Sequence, residues 1–202
     1  MAASHPDTDP DSGSGSGPHS GPDSEPAPAS GLPTHRPLLF LGIDGVLNPV
    51  LPTAGFTAHS LLDFTVLLSV DHVDWLRELS DTYDLVWATT WEHDANTHIA
   101  PLLELPRLPV VEFTGPRGHP ESRGAAGHDG APGRIWPRLL RYAGRRPFAW
   151  VDDVIAESLL HLSRGRPDRL LIPVDPGRGL LRGHVDRLLA APPWSAPSPT
   201  PA

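Results

Sequence analysis

Leu38, Leu39, Phe40, Leu41 and Ile43 form an apolar run of strand length that stops at Asp44-Gly45. A strand exposed on one face alternates polar and apolar side chains, so a run apolar on both faces predicts a parallel strand covered on both sides by helices. A buried strand that delivers a carboxylate at its C-terminal end and turns at glycine has two readings. It is the edge of an active site, or it is a core strand closed by an ordinary Asp-Gly turn. In both cases the chain needs further strands and helices to bury this one.

The sequence supplies them in alternation. Residues 84–90 read as a second strand, with Leu85, Val86, Trp87 and Ala88 running into Thr89, Thr90 and Trp91. Residues 108–113 read as a third, with Pro109 near its start; residues 147–151 as a fourth, ending in Asp152-Asp153; and residues 169–174 as a fifth. Val73, Leu76 and Leu79 fall at helical spacing after Asp71, which reads as a cap, so 71–82 is predicted helical. Helices are also predicted over 95–103, limited or bent by Pro101, and over 134–143, 155–162 and 180–190. Residues 56–59 and 64–68 read as the arms of a hairpin. Strands alternating with helices predict an α/β fold, a Rossmann-like three-layer sandwich with a central parallel sheet, over residues 37–190.

The flanks have a different composition. Residues 1–36 are rich in Pro, Gly, Ser and Asp, and residues 191–202 are Pro-rich. Neither offers enough apolar surface to offset the entropy of ordering, so a disordered acidic N-terminal tail and a disordered C-terminal end are expected. Residues 114–133, crowded with Gly, Pro and His, read as a long loop.

Composition excludes several chemistries. There is no cysteine, hence no disulfide, thiolate nucleophile or cysteine-bound zinc. All 16 basic residues are arginine, which removes lysine Schiff bases and the lysine of a phosphate-binding loop. A net charge of −8 opposes general nucleic-acid binding through bulk charge. No apolar run is long enough for a membrane span and no secretory signal is evident, so a cytoplasmic location is the default expectation.

Three of the predicted strands end in polar residues: Asp44, Thr89 or Thr90, and Asp152 with Asp153. The C-terminal ends of parallel strands converge on one crevice, where ligands of open α/β sheets bind. Clustered carboxylates suit a hard cation such as Mg²⁺, and a hydroxyl with an arginine nearby would hold phosphate oxygens. Each feature alone has a structural explanation, as a helix cap or a strand end; the ordered set is what points to a site. Arg134, Arg138, Arg141 and Arg145 form a basic stripe on one helix, which reads as a solvated face or as an RNA-backbone contact. His93 and His98 are five apart, wrong for one helical face, and His119 and His128 lie in the long loop without a recognised ligand spacing.

Gly42-Ile43-Asp44-Gly45 resembles the first motif of the haloacid dehalogenase (HAD) superfamily, Asp-x-Asp-Gly after an apolar strand, with Gly42 at the position of the nucleophilic aspartate. The stretches WATTWEHDAN (87–96) and RPFAWVDD (146–153) are similar to the HAD domain of bacterial Swiss-army-knife RNA-repair proteins. The resemblance implies roles. Asp44 would be the acid/base, Thr89 and Arg134 would hold phosphate with Arg138 in reserve, and Asp44, Asp152 and Asp153 would bind a weakened Mg²⁺. It implies a Mg²⁺-dependent phosphohydrolase acting on RNA ends or a small phosphate ester, with Gly42 closing the covalent route. The alternatives are a catalytically disabled phosphate- or RNA-binding module and an interaction domain that works through its acidic tail.

Overall fold

The computed structural model describes residues 36–51, 54–113 and 132–190, with backbone only for 132–134. In chain order the strands and α-helices are β1 (Leu38–Leu41), β2 (Phe56–Leu61), β3 (Phe64–Ser69), α1 (Asp71–Thr82), β4 (Asp84–Trp87), α2 (Pro132–Ala143), β5 (Phe148–Asp152), α3 (Glu157–Ser163), β6 (Arg169–Pro173) and α4 (Arg182–Leu189). Four strands form one parallel sheet in the order β4-β1-β5-β6. The fold is α/β with helices on both faces, as expected.

The period of two along each strand sorts the side chains between two cores. Leu39, Leu41, Trp87 and Val151 point to one face, where they meet Leu76 and Leu79 of α1 and Val185 and Leu188 of α4. Leu38, Phe40, Phe148 and Trp150 point to the other, against Leu139 of α2 and Leu159 of α3. Both faces are dry, so no position on β1 needs a polar residue. All four residues of β1 are buried. On the second face Trp136 stacks on Trp150 with centroids 6.0 Å apart, and the Arg169 guanidinium lies 5.6 Å from the Trp136 ring centroid.

The strands are in register at their C-terminal ends: Leu41 lies opposite Trp87 on one side and Val151 on the other. Pairing continues one step beyond, with Ala88 N donating to Leu41 O at 3.0 Å and Gly42 N to Val151 O at 3.1 Å. Residues 42, 88 and 152 therefore leave the sheet side by side. The antiparallel hairpin β2–β3 joins the first core through Val66 and Leu68.

Several expectations are corrected. The third strand predicted over 108–113 is only a bridge between Val110 and Trp87. Trp87 N donates to Pro109 O and Val111 N to Trp87 O, but Pro109 has no N–H with which to extend the ladder. The predicted helix over 95–103 is one π-helical stretch, Ala95–Ile99, followed by a 3₁₀ turn, Ala100–Leu103, with Pro101 in its first turn. Asp71 does not cap α1: the cap is Val70, and Asp71 N donates to Ser69 Oγ at 3.2 Å. Helix α3 begins at Glu157, not 155, and β4 ends at Trp87, not Thr90. The predicted tails 1–36 and 191–202 (apart from Arg36) and the loop 114–133 (apart from 132–133) lie outside the described residues.

Candidate functional site

After β1 the chain folds into a single tight turn. The amides of Val46, Leu47 and Asn48 converge on the Ile43 carbonyl at 3.1, 2.8 and 2.9 Å, and Gly45 N donates to Asn48 O at 2.8 Å. Gly45 has φ of 71°, and a Cβ there would lie 2.5 Å from Asp153 Cγ. Both the left-handed backbone and the packed Asp153 side chain demand glycine.

Asp44 is exposed at the start of this turn, and both its oxygens are held. Asn48 Nδ2 donates to Oδ1 at 2.9 Å, and Trp91 Nε1 donates to Oδ2 at 2.9 Å. Asn48 Oδ1 in turn accepts the Leu67 amide of β3 at 2.8 Å. Asp44 thus ties the turn after β1 to the segment after β4, and through Asn48 to the hairpin. Thr89 is buried, and its Oγ1 accepts the Trp91 amide at 3.4 Å. Thr90 is exposed.

Asp152, the last residue of β5, is only 5% exposed. Its Oδ2 accepts from Trp150 Nε1 and its Oδ1 from Val154 N, both at 3.2 Å. Burial pushes its carboxyl up to about 7, and the hydrogen bond and charge of Asp153 push the same way. A Cβ added to Gly42 would lie 2.9 Å from Asp152 Oδ2 and 3.1 Å from Val46 Cγ2. The Asp152 carboxyl therefore lies over Gly42, in the space a side chain at 42 would enter.

Asp44, Thr89, Asp152 and Asp153 lie at one sheet edge, the aspartates in two groups. Asp44 keeps company with Asn48 and Trp91; Asp152 lies against Gly42 and Asp153 against Gly45. Arg134 falls in the first turn of α2, and its side chain lies outside the described atoms. The reserve, Arg138, donates to the Glu112 carbonyl at 2.6 Å. His93 pairs with Glu112 at 3.3 Å, while His119 and His128 lie outside the described residues.

Asp44, Asp152 and Asp153 would be the carboxylates to hold Mg²⁺, and they stand in two groups. Among the described residues no three His, Asp or Glu side chains are grouped to hold a metal ion. Both oxygens of Asp44 and both of Asp152 accept N–H donors, and burial raises the Asp152 carboxyl.

Sequence reasoning passed over Asn48, Trp91 and Trp150. Asn48 carried a signal in its spacing of four from Asp44 before Pro49. Trp150 sits two residues before Asp152, on the same face of β5.

Residues 38–185 match the family model described as the HAD domain in Swiss Army Knife RNA repair proteins. The chain belongs to this HAD family. The match opens on the first residue of β1 and runs into α4, so it takes in the whole parallel sheet and every strand end described above. No curated protein and no solved structure matches the chain significantly. No described helix is long and apolar enough to cross a membrane.

Proposed function

We propose that this HAD domain binds the phosphate end of an RNA, or a small phosphate ester, at the C-terminal edge of its sheet without running the covalent phosphatase cycle of the superfamily. One observation carries the reading: the Asp152 carboxyl is packed over Gly42, the residue that the motif resemblance aligns with the nucleophilic aspartate. Glycine has no atom to attack phosphorus. Asp152 cannot take its place from there, because it is buried and its two oxygens are held by Trp150 and Val154. Family membership supports phosphate chemistry at this edge, and the description of the family supports an RNA end as the ligand class. With a net charge of −8, affinity would come from groups at the strand ends and not from the field of the whole protein.

A second reading is favoured by Asp44, which is exposed and oriented by two donors. As a general base it would take a proton from water while the water oxygen bonds to phosphorus and the P–O ester bond breaks. Calorimetry with a phosphorylated oligoribonucleotide and an aryl phosphate, with turnover measured on the same samples with and without Mg²⁺, separates the two. Binding without turnover supports the module. Turnover that disappears in Asp44→Asn supports the water route, and neither binding nor turnover defeats both.

A further inference from the structure

We propose that Phe64 and Trp91 form an aromatic corner that stacks the base of a ribonucleotide whose phosphate sits at the strand ends; the phosphate part rests on the reading above. The two rings are edge to face, with centroids 6.5 Å apart and planes at 70°. Trp91 spends its only polar group on Asp44, at 2.9 Å. Its indole is thereby fixed in orientation beside the site, packed in part against the first core, and the ring surface left at the surface is apolar. Phe64 is 39% exposed, large for a phenylalanine next to a core that could have taken it.

The hairpin tip holds Phe64 in place. Leu62 and Asp63, the two residues before it, have φ of 47° and 67°. Positive φ at both residues is what a two-residue type I′ hairpin turn requires, so this turn sets where β3 begins and hence where Phe64 stands. The hairpin is also anchored to the site, because Leu67 N donates to Asn48 Oδ1 while Asn48 Nδ2 holds Asp44. Phe64, Trp91 and Asp44 are therefore parts of one hydrogen-bonded assembly.

The chemistry of this corner fits a base. Nucleobases are flat and polarisable, every one has a π-face, and aromatic side chains are the usual platforms for unpaired bases.

The full chain is titrated by calorimetry with adenosine 5′-monophosphate, ribose 5-phosphate, adenosine and inorganic phosphate. The nucleotide should bind about tenfold or more tighter than ribose 5-phosphate. Phe64→Ala should erase that preference while leaving inorganic phosphate unchanged, and Phe64→Tyr should keep it. Equal affinity for the nucleotide and ribose 5-phosphate overturns the corner and leaves the phosphate reading standing. Binding of adenosine without inorganic phosphate does the reverse. If nothing binds, both fall. A dimer in sedimentation that Phe64→Ala dissolves would assign the corner to a second copy of this chain and overturn the proposal.

Discussion

The two ends of the parallel sheet treat their aspartates in opposite ways. At the N-terminal end Asp84 opens β4 and takes Arg36 at 3.2 Å and Arg146 on its other oxygen. Asp168, just before β6, meets Arg169 at 2.7 Å and Arg166 at 3.2 Å. Arg169 first, then Arg166, holds the Asp168 carboxyl well below the usual range. At the C-terminal end the donors to Asp44 and Asp152 among the described residues are Asn48, Trp91, Trp150 and a backbone amide, with no arginine among them. An aspartate neutralised by arginine is finished chemically, since its charge and lone pairs are used. One held by neutral donors keeps its charge available or, when buried, gives it up by taking a proton. Structure and chemistry are thus divided between the two edges of one sheet.

The largest test of that division is pH. In the folded protein Asp152 keeps its proton up to about pH 7, whereas in the unfolded chain it loses it near pH 4. Between about pH 4 and about pH 7 the folded state binds more protons, so this group's effect on stability worsens as pH rises through the window and levels off above it. The contribution is on the order of a few kcal/mol. Asp152→Asn should therefore gain stability relative to wild type as pH rises from about 4.5 to about 8, read as the difference in urea midpoints. A constant difference across that range would show that Asp152 is ionised in its pocket.

Next in size is Gly42→Asp. A new side chain must push Asp152 off Gly42 and break its bonds to Trp150 and Val154. The expected loss is about 2–3 kcal/mol, with Gly42→Ala losing about 1. Because Asp152 stands in the way, the introduced carboxylate should not raise aryl phosphate turnover above wild type. A stable Gly42→Asp protein with new turnover would mean that the cradle opens freely.

At the opposite edge Asp84→Asn should cost about 1–2 kcal/mol, because the half-buried Arg146 loses its charged partner. Adding Arg146→Met should recover part of this in chemical denaturation; if it recovers nothing, the pair does not couple. The smallest effect should be Glu78→Gln. Its partner Arg182 also holds Asp186, and both ends are exposed, so the melting temperature should stay within about 1 °C of wild type. A larger shift would show that surface pairing matters here as it does at the sheet's N-terminal end.

The fold was legible where one residue type dominated its neighbourhood. The unbroken apolar run of β1, the spacing of Leu76 and Leu79, and the alternation of strands with helices all led to the architecture found. The reading failed where a single backbone atom decided. Pro109 left one bridge in place of a strand, and an exposed Val70, not Asp71, stands at the cap of α1. The polar strand ends were legible as a set, since register in a parallel sheet follows from buried runs of similar length. Their partners were not. Nothing in the spacing tells that Trp91 will reach Asp44, 47 residues away, or that Asn48 will hold Asp44 and β3 at once.

What the sequence determined by itself is the four buried strands of the parallel sheet and the absence of a side chain at residue 42, because burial follows local composition and glycine has no side chain in any fold. What only the tertiary structure decided is the fate of the carboxylates around that gap. Asp152 and Asp44 are the same residue at equivalent strand ends, yet one is buried over Gly42 with a raised pKa and the other stands exposed between two donors. Desolvation and donor geometry depend on the neighbours that the sheet and hairpin bring together, and those neighbours are distant in the chain.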